Sequence, residues 1–264
     1  MHWVKMYLRY LSVYFKQLME YRFSFFGDIF VNTLFFIVTY IGFWVIFNRF
    51  DMLHGWTFYE VTFLYNMNLL SYAISSMFVW GPMKQLEEYV RRGEFDLFLT
   101  KPIPPLRLLI FRQFGHTFIG HVLVAVTVFI VCIDRLDLQW SFTLYVFFVA
   151  AIIGAAFIHS ALIIFAATST FWIVRSTPIV DVTIYAIRSY INYPISIYYK
   201  WLQVLLTFLV PYAFVNFYPS TVLLRKTESL SILSYCTPIL GLILLGAAVC
   251  TFNIGVRRYE STGS

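Results

Sequence analysis

GPMKQLEEYVRRGEFDLFLTKPIPPLRLLIFR, residues Gly81–Arg112, is the one long polar interruption in a chain that is otherwise almost continuously apolar. It holds six of the nineteen Lys and Arg residues (Lys84, Arg91, Arg92, Lys101, Arg107, Arg112) and four of the thirteen acids (Glu87, Glu88, Glu94, Asp96). Pro82 suits a first helical turn, the residues through Arg92 are good helix formers, and Gly93 stands where a helix takes its terminating glycine. The spacing predicts a short helix of about three turns. Glu87 with Arg91 and Glu88 with Arg92 are four apart, which contributes only ~0.2–0.5 kcal/mol each. That is too little to account for so much charge. The stretch is either a solvated connector between membrane helices or a docking surface for a soluble partner.

Outward from this stretch, composition sets the class. With 60% apolar and only 12% charged residues, the chain is far from the soluble mixture of about a quarter charged. This is the composition of an all-α integral membrane protein, with little length left for a soluble catalytic domain. The net charge of +6 sits beside apolar spans, as expected for topology signals and membrane lipid headgroups, so no nucleic-acid partner is expected. Cys132, Cys236 and Cys250 have no CxxC spacing and read as small hydrophobes. A pairing of Cys132 with Cys236 near the outer face stays open.

In chain order, residues 1–22 place Lys5, Arg9 and Lys16 on one helical face, with Val4, Leu8, Leu11, Phe15 and Leu18 supplying apolar area. They read as an interfacial amphipathic helix. Apolar spans follow at about 23–47, 57–80, 113–133, 140–174, 199–217 and 232–256, giving six transmembrane helices in a single domain, 1–264. The fourth carries Ala150, Gly154, Ala151, Ala155, Ala156 and Ser160, a small-residue pattern suited to close helix packing. Residues 175–198, with Arg175, Asp181, Arg188 and Pro194, read as a second polar return. Pro211 and Pro219 interrupt the fifth apolar run, which suggests a broken or re-entrant element before the last span. With the amino terminus inside, fifteen of the cations fall on the inner side and four (Arg49, Arg135, Arg225, Lys226) on the outer. The positive-inside rule then puts both termini and the Gly81 stretch in the cytoplasm.

No phosphate loop, HExxH or GxSxG motif is present, so no catalytic site is expected on this chain. His116 and His121 lie five apart, about 140° around a helix, and His159 stands alone in the fourth span. Such histidines serve either a proton or metal site or, more commonly, hydrogen bonds between helices. Phe36, Tyr40, Trp44, Tyr65 and Tyr72 are candidates for lining a translocation path, against the alternative of lipid contact and interfacial belts. Together with Asp28, the three histidines would have to serve a self-contained ion-coupled carrier. A membrane scaffold that recruits a partner without transport is a third reading.

Three short motifs in order, RRGEFDLFLTKPIPP after the second span, VPYAFVNFYPSTVLL at Val210–Leu224 and the closing GVRRYESTGS, resemble the permease subunits of ABC-2 type transporters. The resemblance implies a multi-pass permease of the cell membrane, such as a bacterial inner membrane. It implies pairing with a second permease, identical or paralogous, and with two copies of an ATPase subunit that binds the ATP and Mg; no cofactor is expected on this chain. By the same analogy residues 83–92 form a coupling helix, the amino-terminal helix is the interface helix, and Pro211 and Pro219 mark the outer re-entrant piece. Lys84, Glu87, Glu88, Arg91, Arg92, Glu94 and Asp96 are then the expected ATPase-coupling residues, with Leu86, Tyr89 and Val90 adding apolar area. An exported hydrophobic or amphiphilic substrate is the expectation that goes with it.

Overall fold

The computed structural model describes residues 22–173, 175–226 and 231–260, with Ser12, Lys16 and Glu20 ahead of them. The expected interface helix over residues 1–22 lies almost wholly outside these residues, as do the last four positions. The described residues form helices α1 (Arg22–Arg49), α2 (Phe58–Arg91), α3 (Asp96–Leu99), α4 (Pro105–Arg112) and α5 (Phe118–Arg135). They continue with α6 (Phe142–Thr168), α7 (Thr177–Asp181), α8 (Lys200–Val204), α9 (Phe217–Leu223) and α10 (Thr237–Arg258). No strand occurs among them.

Helix α2 is the axis of the fold. Every residue from Val61 to Ala73 is buried, and α5 and α6 pack along it. Burying a whole helix circumference buries its polar groups too, and these find partners on neighbouring helices. Asn66 Nδ2 donates to the Ala125 carbonyl, and the Ser75 and Ser160 hydroxyls lie 2.8 Å apart. The small residues of α6 do bring a neighbour close. A Cβ on Gly154 would lie 2.6 Å from Pro238 Cα, and one on Gly241 would lie 2.2 Å from the Gly154 carbonyl oxygen. The α6–α10 crossing therefore depends on both positions lacking a side chain.

Among the described residues four helices are long and apolar enough to cross a membrane, and a bent pair makes a fifth if it is counted as one span. They are the 26–49, 118–135, 142–171 and 237–258 segments. Helix α2, at 34 residues about 51 Å long, has the length but is less apolar, because of Asn66, Asn68 and its serines.

The structure departs from the sequence reading in three places. First, the expected second span does not stop at Trp80. Helix α2 runs through Gly81 and Pro82 to Arg91, so the predicted separate helix is the end of α2. A proline removes one helical hydrogen bond, and at this weakened turn the Met77 carbonyl accepts the Gly115 N–H at 2.8 Å. Gly93, at φ +70°, ends the helix as read from sequence.

Second, the run over 199–217 is not one straight span but, as Pro211 and Pro219 suggested, a broken element of two short helical pieces, Lys200–Leu209 and Tyr212–Leu223, meeting at 82°. Pro211 lies at the elbow and Pro219 inside α9. Their outer ends lie on the same side of the molecule. Tyr193, just before the pair, packs on Phe43 near the end of α1, and Lys226, just after it, pairs with Glu60 at the start of α2. The elbow reaches inward, where the Tyr212 hydroxyl donates to the Thr183 carbonyl at 3.0 Å and its ring meets His159. Third, residues 175–198, expected as a polar return, are largely helical and run beside α2 as an ascending segment: α7, a π-helical stretch Val182–Ile187 and a 3-10 turn Tyr190–Asn192.

Candidate functional site

Two polar clusters join the ascending segment to α2, one at the Arg91 end, called the inner end after its expected cytoplasmic side, and one near the middle of α2. At the inner end Glu87 faces the start of α7. Its Oε2 accepts the backbone N–H groups of Ser176 and Thr177 at 2.8 and 2.6 Å, and the Thr177 hydroxyl at 2.6 Å. A helix start leaves its first N–H groups without intrahelical partners, and a carboxylate from another helix satisfies them here. Burial pushes the Glu87 carboxyl up, but the hydrogen bonds from Thr177 and Ser176 outweigh it and hold the carboxyl below its ordinary value of 4.5. Lys84, one turn earlier, lies 3.9 Å from Asp181 on the same segment and 5.0 Å from the Trp80 ring centre.

The other charges of this stretch point away. Glu88 is bracketed by Arg91 and Arg92, and these arginines hold its carboxyl low. Arg91, Arg92 and Glu94 are exposed and Asp96 is half-buried. Beneath them Phe95 and Phe98 are buried, Phe95 packing on Phe171 and Tyr259. Leu86 is also fully buried within the chain, so the apolar area it was expected to offer a partner is used internally. The exposed apolar residues here are Leu97 and Leu99, at 63% and 44%. Alternation in EFDLFL separates them: the phenylalanines anchor the stretch and the leucines stand out from it.

Halfway up, Arg188 of the ascending segment reaches α2. Its Nε donates to Asn68 Oδ1 at 3.0 Å, and its Cζ lies 3.6 Å from the Tyr72 ring centre. Asn68 Nδ2 donates to Asn192 Oδ1 at 3.2 Å, which fixes the amide with its oxygen toward the guanidinium. Asn68 lies about 15 Å along α2 from Phe58, within the wholly buried stretch of that helix. An arginine at the centre of a membrane helix costs about 2.5–3.5 kcal/mol on insertion scales, so one in a membrane protein's interior marks a functional site. Among the described residues no carboxylate pairs with it.

Arg188 borders a cavity of about 420 Å³ between α1, α2, the start of α5 and the ascending segment. Of the aromatic residues singled out from sequence, Phe36, Tyr65 and Tyr72 line it. Tyr40 instead bonds Asn66 and, with the exposed Trp44, borders an outward-facing apolar groove. His121 lines the cavity, whereas His159 is buried between Tyr72 and Tyr212. The three cysteines are free.

A family profile described as ABC-2 family transporter protein matches residues 33–263. The chain belongs to that family. It is a multi-pass membrane protein with the role of a permease, and permeases of this family typically pair with an ABC ATPase. No curated protein and no solved structure matches the chain. Sequence reasoning had placed Arg188 on the cytoplasmic side of this permease. Its packing against Asn68 and Tyr72 left one signal, in composition: apart from Asp181 and Arg188, residues 177–192 are uncharged and carry Ile, Val and Tyr throughout.

Proposed function

We propose that this permease is the membrane subunit of an ATP-driven exporter of a hydrophobic or amphiphilic substrate, energised by a separate ATPase docked on Gly81–Arg112. The observation that carries the reading is the two-sided end of α2. One side, Arg91, Arg92, Glu94 and Leu97, faces outward, while Glu87 and Lys84 hold the base of the ascending segment. Exposed charges give register and rate to a protein contact, and Leu97 and Leu99 give it apolar area. Because α2 is unbroken from Phe58 to Arg91, a push on its inner end moves it as a rigid lever through the membrane. Glu88 and Asp96 belong to the same docking surface.

In this reading the chain crosses the membrane six times: α1, α2, α5, α6, the 177–192 ascent and α10. The bent pair around Pro211 is re-entrant from outside. Placing Arg188 within the membrane and Lys200 outside leaves the cation bias at thirteen inner to five outer, which still favours cytoplasmic termini. Two ATPase copies holding ATP and Mg, and a second permease closing the open side of the Arg188 cavity, complete the exporter.

Purification of the tagged chain from its native membranes in mild detergent, followed by mass spectrometry, tests this. A stoichiometric ATP-binding subunit is expected, and a second six-span protein alongside it would mark a heterodimeric permease. If the chain comes through alone, in a detergent that preserves other membrane complexes, the ATP-driven reading is lost and an ion-coupled carrier takes its place.

A further inference from the structure

We infer that the cavity at Arg188 binds the anionic headgroup of an amphiphile, a phosphate or carboxylate, with its apolar chain lying along the aromatic wall. This rests on the permease reading above and narrows its substrate class. A guanidinium keeps its charge in a protein and offers five N–H donors in a planar fork. At Arg188 the Nε is engaged by Asn68 and one face by Tyr72, which leaves the edge bearing the η nitrogens without a protein partner among the described residues. Those nitrogens belong to a side chain that lines the cavity. A fork held on one edge and one face, with the other edge open, is preorganised for two parallel bonds to a carboxylate or phosphate.

The charges around the cavity agree. The acid nearest in sequence, Asp181, lies about two turns below on the same segment and faces Lys84. Among the described residues the lining contains no acid, and a cationic guest would meet Arg188 with no counter-charge. His121 of α5 also lines the cavity and adds a further polar group, and Ser189 and Asn192 add uncharged ones. The rest of the wall is Phe36, Tyr65, Tyr72, Trp80 and Phe118, a surface for an alkyl or prenyl chain. A volume of about 420 Å³ falls within the ~300–1,000 Å³ of ligand pockets. A single positive anchor in an aromatic cleft selects one anionic group on a long apolar body; a highly charged solute would find too few donors.

Trp80 gives a direct readout. The purified chain in maltoside detergent is titrated with bromoundecyl phosphate, bromoundecyl trimethylammonium and bromoundecanol, and bromine quenching of tryptophan is followed, with Trp80→Phe defining the signal from this site. Saturable quenching by the phosphate amphiphile is expected, with no saturation by the ammonium one and weaker binding of the alcohol. Arg188→Gln is expected to weaken the phosphate amphiphile roughly tenfold or more, and Arg188→Lys to weaken it less, since lysine keeps the charge and loses the fork. Decyl phosphate should displace the probe where equal inorganic phosphate does not. Displacement by inorganic phosphate alone would overturn the amphiphile assignment in favour of a free anion. Equal binding of phosphate and ammonium probes, or undiminished binding to a monodisperse Arg188→Gln protein, would overturn the site itself. The headgroup preference is read on the unsubstituted chain, so the test survives a variant that does not fold. Loss of that preference leaves the exporter reading in place, while absence of an ATPase partner leaves anion binding at Arg188 measurable.

Discussion

Two charged segments of this permease, Gly81–Arg112 and Thr177–Asn192, touch each other and differ in almost every respect. The first concentrates ten charges at the inner end of the molecule, where several are exposed and their mutual pairs contribute little. The second carries only Asp181 and Arg188, yet Arg188 sits on the wall of a cavity between Asn68 and Tyr72, with no carboxylate beside it among the described residues. Many exposed charges define a surface, whereas one charge held among aromatic rings defines a site. The Glu87 contact to Ser176 and Thr177 is where surface and site are joined.

The largest effect should come from the exposed surface. Arg91→Glu combined with Leu97→Asp is expected to strip the ATPase subunit from the purified complex, about a hundredfold weaker binding for a reversed charge and a lost apolar anchor. The chain itself should remain inserted and monodisperse. Retention of the ATPase would show that the comparison has the wrong side of α2 facing out.

The joint between the segments comes next. Glu87→Gln should leave the ATPase bound but lower transport several-fold, because a neutral amide gives the α7 N–H groups a weaker acceptor than a carboxylate. Thr177→Val should add little on top of it, since both act on one contact. Additive losses would mean that the two residues act separately.

The same carboxylate predicts a pH dependence. Its value is lowered in the folded chain, so the stability it contributes is fully present above its ordinary value of 4.5 and is lost as pH falls through the lowered one. Thermal unfolding of the detergent-solubilised chain should show an acid limb there, and Glu87→Gln should flatten it. An unchanged limb would detach this contact from stability.

Smaller effects bound the account. Gly93 ends α2 at φ +70°, and Gly93→Ala should cost about 1 kcal/mol, seen as a modest fall in the unfolding temperature. Glu88→Gln removes only exposed ion pairs, and no change in that temperature is expected.

How much of this was legible in the sequence follows from the same contrast. Clustered charge is visible by inspection, so the Gly81 stretch, its terminating Gly93 and the small residues of the fourth span were read at the right places. That residues 177–192 are helical was hidden because one arginine and one aspartate lower the apolarity of a short run enough to resemble a loop. Hydropathy averages a window, and it cannot tell an arginine facing a cavity from one facing water. The continuity of α2 through Pro82 was hidden for another reason: Gly115, far along the chain, supplies a hydrogen bond at the weakened turn. The direction of Glu87 toward Thr177 depends on two segments ninety residues apart and left no local trace.

The most direct measurement on the central claim is site-specific photocrosslinking in native membranes, with a benzophenone side chain placed at Leu97 and, separately, at Leu138 on the opposite end of the molecule. The account expects an adduct with an ATP-binding subunit from position 97 and none from position 138. An ATP-binding adduct from position 138, or only lipid and membrane-embedded proteins from position 97, would contradict it.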